Sequence, residues 1–469
     1  MSPIRPLLAL ALAGVPFSAF AAETPTLAEL ARRLDALEQR LATDAPDAGA
    51  GAASADLDQR LRVLERKLEL QAEDAAAKAA TAPVVSLDEK GLAVRSPAAG
   101  GFELKLRGLV QGDGRFWIGD HQVPQDDTLL LRRVEPTLEG SWGPLLGFRV
   151  TAQLAGDSAT INDAYVDLKF DPRATLRVGK TKTPLGLERL QSSGATEEVE
   201  LGFPSELAPG RDIGVQLQGQ YPSGASYALG LYNGTVDGRD GATSNPDGDF
   251  DLVGRLFFEP WKDAANAWSG LGFGIAASRG ERHGSGSSLL PRYRTPGQVT
   301  FFGYRNDVAA DGAQERWSPQ AYYYRGRFGL LGEYIVSRQQ VAAGSGERAT
   351  LGNRAWQLSG GVVLTGEDAS YQGVVRPNHP FTLGGAGWGA LELVARYGRL
   401  EIDDAAFPLF ADPTQAMAAA HGWGIGLNWV LTRNFKLVAN YTRTAFDAAL
   451  GAPAREDEQA FFTRAQFSF

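Results

Sequence analysis

The sequence predicts an all-β, antiparallel transmembrane barrel, with a short α-helical coiled-coil segment at its N-terminus. Three observations carry that prediction. From about residue 91 onward, apolar and polar residues alternate with a period of two over segments of roughly ten residues, the length of a tilted strand that crosses a bilayer. Beyond the N-terminal leader, no apolar run is long enough to cross as a helix. The chain also stops inside a strand, FFTRAQFSF, with Phe461, Phe467 and Phe469 on one face and Arg464, Gln466 and Ser468 on the other. In water such a strand is an aggregation hazard. In a closed ring its edges are paired and its apolar face meets lipid.

The N-terminus, MSPIRPLLALALAGVPFSAFAAE, has one early arginine, Arg5, an apolar run from Leu7 to Val15, and the small-residue exit AFAA. That pattern assigns residues 1–21 to a secretory signal peptide. Leu27, Leu30, Leu34, Leu37 and Leu41 then recur at spacings of three and four, a heptad seam. The tract ATDAPDAGAGAAS breaks it, and a second seam follows at Leu57, Leu61, Leu64 and Leu68. Residues 22–80 thus read as a pair of amphipathic helices or as a short oligomerising stalk in the periplasm. An Ala-rich tract from residue 75, with Pro83 after it, leads into a linker over 81–100, and residues 101–469 read as the barrel.

Within the barrel, FELKLRG sets Phe102, Leu104 and Leu106 against Glu103, Lys105 and Arg107. LGFRVTAQLAG sets Leu146, Phe148 and Val150 against Arg149, Thr151 and Gln153, and FKLVANY sets Phe435, Leu437 and Tyr441 against Lys436 and Asn440. One face is apolar with aromatics near the strand ends. The other is too charged for a core and too regular for chance. About seventeen segments fit this pattern. Bacterial single-chain barrels have even strand numbers, so sixteen strands are expected, with eighteen the alternative. Trp117, Trp142, Trp261, Trp268, Trp388, Trp423 and Trp429 fall mostly near strand ends, as an interfacial girdle requires.

The composition excludes several functions. There is no cysteine, hence no disulfide framework and no thiol chemistry. The net charge of −9 argues against a nucleic-acid partner. The four histidines are scattered, and no phosphate-cradling loop appears. No enzyme activity, metal or cofactor is expected. The basic residues are lopsided, with 37 Arg against 9 Lys, which suggests that arginine serves geometry more than bulk charge.

Several stretches resemble the phosphate-selective porin O and P family. They are VGKTKTPLGLERLQSS, PGRDIGVQLQG, LGLYNGT, GWGALELVARYGRLEID and the closing RAQFSF, with LRRVEPTLEG and INDAYVDLKF in support. The resemblance covers most of 101–469, and TPLGLERL and RDIG are its most specific parts. It implies a sixteen-stranded, trimeric outer-membrane channel, with a loop folded into the lumen and arginines that lead anions to a constriction. It also implies outer-membrane lipid and lipopolysaccharide as surroundings, and a C-terminal Phe469 read by the barrel assembly machinery. Two further readings stand beside a small-anion channel: a general or cation-preferring porin, and a trimeric envelope tether or adhesin.

The candidate ion path follows from parity and from that resemblance. Arg107, Arg133, Arg149, Arg177, Arg255 and Arg396 fall on the polar face of their strands, Lys180 and Lys182 add compact charges, Arg132 doubles Arg133, and Arg189 and Arg211 lie at or near the ends of the expected inward loop at 181–210. An arginine fork holds an oxyanion through two parallel hydrogen bonds. The competing role for each is a wall salt bridge, because Glu135, Glu139, Asp167 and Glu392 share the same face. The loop itself carries Glu188, Glu197, Glu198, Glu200 and Glu206, and from residue 91 on there are 41 acidic against 36 basic residues. That balance sits poorly with a phosphate filter.

Overall fold

The computed structural model describes residues 32–33, 35–36, 39, 50–97, 100–119 and 126–469. The residues read as a signal peptide, 1–21, and the first leucine seam, Leu27 to Leu41, lie outside the described residues. The chain divides into two compact units, one up to Ala80 and one from Thr81 to Phe469. In the first, helix α1 (Ala50–Thr81) runs straight through the Ala-rich tract. Its Leu61, Leu64 and Leu68 are half-buried on one stripe. Ion pairs one turn apart, such as Arg60–Asp56 at 2.9 Å, lie outside that stripe. No described helix is long and apolar enough to cross a membrane.

In the second unit, the segment expected as a linker is a β-hairpin. Strands β1 (Val84–Asp88) and β2 (Gly91–Arg95) are joined by the two-residue turn Glu89–Lys90. Gly91 has φ 101, and a side chain there would strike the Leu106 carbonyl. Only glycine lets β2 approach this closely.

Sixteen strands then close a barrel. The first eight are β3 (Phe102–Trp117), β4 (Thr128–Trp142), β5 (Leu146–Gln153), β6 (Thr160–Asp171), β7 (Ala174–Lys182), β8 (Arg211–Gln220), β9 (Ala225–Tyr232) and β10 (Asp251–Phe258). β11 (Leu271–Ser285) follows. A small separate hairpin, β12 (Arg292–Arg294) and β13 (Thr300–Gly303), sits in the next loop. The barrel resumes with β14 (Ala309–Arg325), β15 (Phe328–Ala342), β16 (Arg348–Val363), β17 (Ala390–Glu401), β18 (Met417–Val430), β19 (Phe435–Ala448) and β20 (Glu458–Ser468). Each barrel strand pairs antiparallel with the next, and β20 pairs with β3. Gly108 and Phe469 exchange backbone hydrogen bonds of 3.1 and 3.0 Å at that seam. The chain ends where the ring shuts. β2 pairs with β3 just past this point, over Glu103–Leu106.

Outward rows stay exposed and apolar, as at Leu256, Ile275, Leu330, Leu358 and Ile425, which is the band that lipid wets. Trp142, Trp268 and Trp388 are exposed as a girdle needs, but Trp117 packs edge-on against Phe462, at 6.0 Å between ring centres. One rim has mostly short turns, such as 172–173, 326–327 and 431–434, and the other has long loops. In outer-membrane barrels the short-turn rim is periplasmic.

The lumen is not polar throughout. At the long-loop end the β12–β13 hairpin folds inward. Its Tyr293, Phe301 and Phe302 are 1% exposed. They join Phe203, Leu207, Ile335, Leu351, Ala355 and Leu400 in one apolar cluster. Long loops carry their own apolar residues, and the inward positions of β14–β18 supply the matching wall. Gly179, at φ 128 in β7, has no room for a side chain beside the Ala164 carbonyl. We expect Gly179→Ala to destabilise the barrel by about 1–3 kcal/mol, read from the urea midpoint in detergent.

Candidate functional site

Between β7 and β8, residues 183–210 cross the interior and are fastened to the far wall. The backbone N–H groups of Leu187 and Glu188 donate to the Glu333 carboxylate on β15, at the start of the helical turn α2 (Leu187–Leu190). Arg396 on β17 reaches Glu188 at 3.0 Å and Glu198 at 2.6 Å. Arg115 on β3 and Arg132 on β4 converge on Glu200 at 2.5 and 2.6 Å. Lys436 on β19 donates to the Gly194 and Thr196 carbonyls at 3.2 and 3.3 Å. Glu206 pairs with Arg294 at 3.3 Å, and the Tyr324 hydroxyl donates to Glu197 at 3.3 Å.

The acids of this loop are therefore its anchors. Burial alone raises the Glu200 carboxyl, but Arg132, with Arg115 and Arg133, outweighs that and holds it well below the usual carboxylate range. Glu197 has no such partner. Burial, with the charges of Glu392 and Glu188, pushes it up to about 7.

Beside the loop lies a cavity of about 960 Å³ that opens at the short-turn rim. β3 to β10 form much of its wall, and β17 to β20 continue that wall on the other side of the β20–β3 seam. The loop presents Leu190, Ser192, Ser193, Gly194 and Ala195 to it, and none of its five glutamates. Among the described residues, nine basic side chains line this space against four acidic ones, Glu89, Glu135, Asp163 and Glu392.

Six of the eleven residues proposed from sequence line the cavity: Arg107, Arg149, Arg177, Lys182, Arg211 and Arg255. Arg107 and Arg149 share one carboxylate, Glu139, at 2.8 and 3.7 Å. Arg177 forms a fork on Asp167 at 2.8 and 3.0 Å and lies over the Tyr165 ring. Arg211 pairs with Asp163 at 3.1 Å. Arg255 donates to Gln320 at 2.9 Å and rests on Phe257, and Lys182 donates to the Arg189 and Gln191 carbonyls. Arg255 and Lys182, like Lys436, have no described carboxylate within ion-pair distance.

The other five hold structure. Arg132 and Arg396 clamp the loop. Arg133 donates to Gln111 at 2.8 Å, Lys180 to the Gly241 carbonyl at 2.7 Å, and Arg189, buried in the loop, to the Ser205 carbonyl at 3.2 Å. A register shift opposite Gln111 and Gly112 inserts an extra residue in β4, so the adjacent Arg132 and Arg133 both reach inward. The sequence reading missed three lining cations, Lys436, Lys90 and Arg433. Lys436 sat on the polar face of FKLVANY, but only the fold puts it beside the loop.

A closed sixteen-strand barrel with an apolar outer band and a charged lumen has the architecture of an outer-membrane channel. Residues 102–469 match the family model described as phosphate-selective porin O and P, and the chain belongs to that family. Porin O of Pseudomonas aeruginosa is 21% identical over 400 residues, 78% of this chain and 89% of that protein. Among solved structures, the outer membrane channel DcaP of Acinetobacter baumannii is similar at a TM-score of 0.51 and 13% identity, over 79% of this chain and 100% of that one. OmpT of Vibrio cholerae is similar at 0.50 and 11%, over 78% and 98%.

Removing one partner of a buried ion pair strands the other, at roughly 3–5 kcal/mol. Arg396→Ala, which leaves Glu188 and Glu198 unpaired, should lower the unfolding free energy by about that much. Arg107→Ala, at a site 44% exposed, should change it by less than about 1 kcal/mol. Urea titration of both variants in detergent compares them.

Proposed function

We propose that this porin passes small anions, oxyanions of the phosphate class among them, along the cavity beside the inward loop. The observation that carries the reading is the charge of that cavity: nine basic side chains face four acidic ones in a chain whose net charge is −9. The candidate path is Arg107, Arg149, Arg177, Arg211, Arg255 and Lys182, joined by Lys436. Arginine forks suit oxyanion geometry. Most of them are already partly neutralised, which keeps any one site from holding a solute too tightly for conduction. The loop supplies the narrowing and turns small hydroxyl and backbone groups to the solute. Its acidic character, which favoured a cation-preferring reading of the sequence, is spent on anchors away from the path.

In this proposal three copies assemble in the outer membrane. The half-buried leucine stripe of α1 supports a periplasmic coiled coil, and the terminal Phe469 serves as the assembly signal. Lipid and lipopolysaccharide surround the barrel.

The test is the reversal potential of single channels in planar bilayers under a salt gradient. We expect anions to be favoured over cations, and phosphate to compete with chloride. Cation preference would overturn the reading, and absence of conductance would leave the tether as the better one. One unit charge about 4 Å from an anion in water is worth roughly 1 kcal/mol. The double variant Arg107→Ala/Arg149→Ala should therefore lower the anion-to-cation ratio several-fold.

A further inference from the structure

We infer that Glu89, at the tip of the β1–β2 hairpin, limits anion selectivity at the periplasmic mouth by masking two arginines. This rests on the anion path proposed above. The hairpin tip is part of the pore lining, since both Glu89 and Lys90 border the cavity. It is held there by the turn between β18 and β19. The Asn434 side-chain amide donates to the Glu89 carbonyl at 2.7 Å and to the Ser468 carbonyl at 2.6 Å, tying the tip to the end of the chain.

The Glu89 carboxylate faces two guanidiniums from different turns. Arg433 lies 3.1 Å from it and Arg376 3.7 Å. The acceptor is the same oxygen, Oε1, in both pairs. Arg376 belongs to the segment 364–389, which enters the lumen from this rim. There the Gln191 side chain donates to the Tyr371 carbonyl at 2.9 Å, and Gln372 to Val375 border the cavity. One carboxylate thus covers two positive charges at the exit, with Lys90 beside it. Glu89 is 39% exposed, so water and solute reach it.

Neutralising Glu89 uncovers both arginines without removing a residue that a strand needs. The effect is electrostatic, so salt should screen it. The Debye length is about 10 Å at 0.1 M and about 3 Å at 1 M.

The experiment compares wild type, Glu89→Gln and Glu89→Asp in potassium chloride across a planar bilayer. For Glu89→Gln at about 0.1 M, the anion-to-cation permeability ratio should rise roughly two- to five-fold over wild type, and the current should rectify because only one mouth has changed. At about 1 M the difference should vanish, and Glu89→Asp should stay near wild type. An unchanged ratio at low salt overturns the inference. So does a shift that persists at 1 M or appears equally in Glu89→Asp, since either marks a change of shape. Because the readout is a difference from wild type, it stands apart from the sign of wild-type selectivity, which tests the proposed function.

Discussion

Backbone satisfaction in lipid is the constraint on which this structure depends. The bilayer core offers no hydrogen-bond partner, so every strand needs two neighbours. The last strand finds its second neighbour in the first, and Phe469 stops level with Gly108. But β3 is longer than the seam. Its first residues, Phe102 to Leu106, extend past the end of β20 and would present a bare edge. β2 pairs with that stretch, and β1 with β2. The hairpin is thus a consequence of closure, and the same requirement brings the Glu89–Lys90 turn to the mouth of the pore.

The second constraint is charge. An acidic chain keeps a basic cavity by spending its carboxylates on mechanical work. Each buried carboxylate must recover its desolvation cost through well-aligned donors. Glu200 does so with two guanidiniums, Glu188 with Arg396, Gln357 and the Gly202 N–H, and Glu333 with two backbone N–H groups. These contacts come from β3, β4, β15, β16 and β17, so the loop is braced from opposite sides. Net charge therefore says little about what a solute meets. The sign at the cavity surface is set by which groups are left over after the loop is fastened.

Much of this was legible in the sequence. Period-two alternation gave the strands, and parity put Arg107, Arg149, Arg177 and Arg255 inside, where they line the cavity. What parity could not give was pairing across the lumen. Arg132 and Arg133 are neighbours, so strict alternation sends them to opposite faces, and only a bulge in β4 turns both inward. The apolar inward positions Ile335, Leu351 and Leu400 are covered by the β12–β13 hairpin, a contact across the lumen that alternation along a strand does not encode. Lys436 lay on the correct face, yet its part depends on carbonyls 240 and 242 residues away in sequence. Residues 84–95 were too short and too close to an Ala-rich helix to be read as anything but a linker.

The filled half of the lumen shapes the open half. With the long-loop end filled by a cluster packed largely against β14–β18, the open cavity is left to the short-turn end, walled by β3–β10 and β17–β20. Adjacent strands lie about 4.8 Å apart. Arg107 on β3, Arg149 on β5 and Arg177 on β7 occupy alternate strands, so their backbones stand on the order of 10 Å apart around the wall, and the side chains of Arg107 and Arg149 converge on Glu139. That spacing is about one Debye length at moderate salt, close enough for their potentials to overlap. On the proposed reading, a row of this kind would offer an anion a continuous attractive surface. A ring of the same charges around the full circumference would place each farther from its neighbours, and their potentials would overlap less.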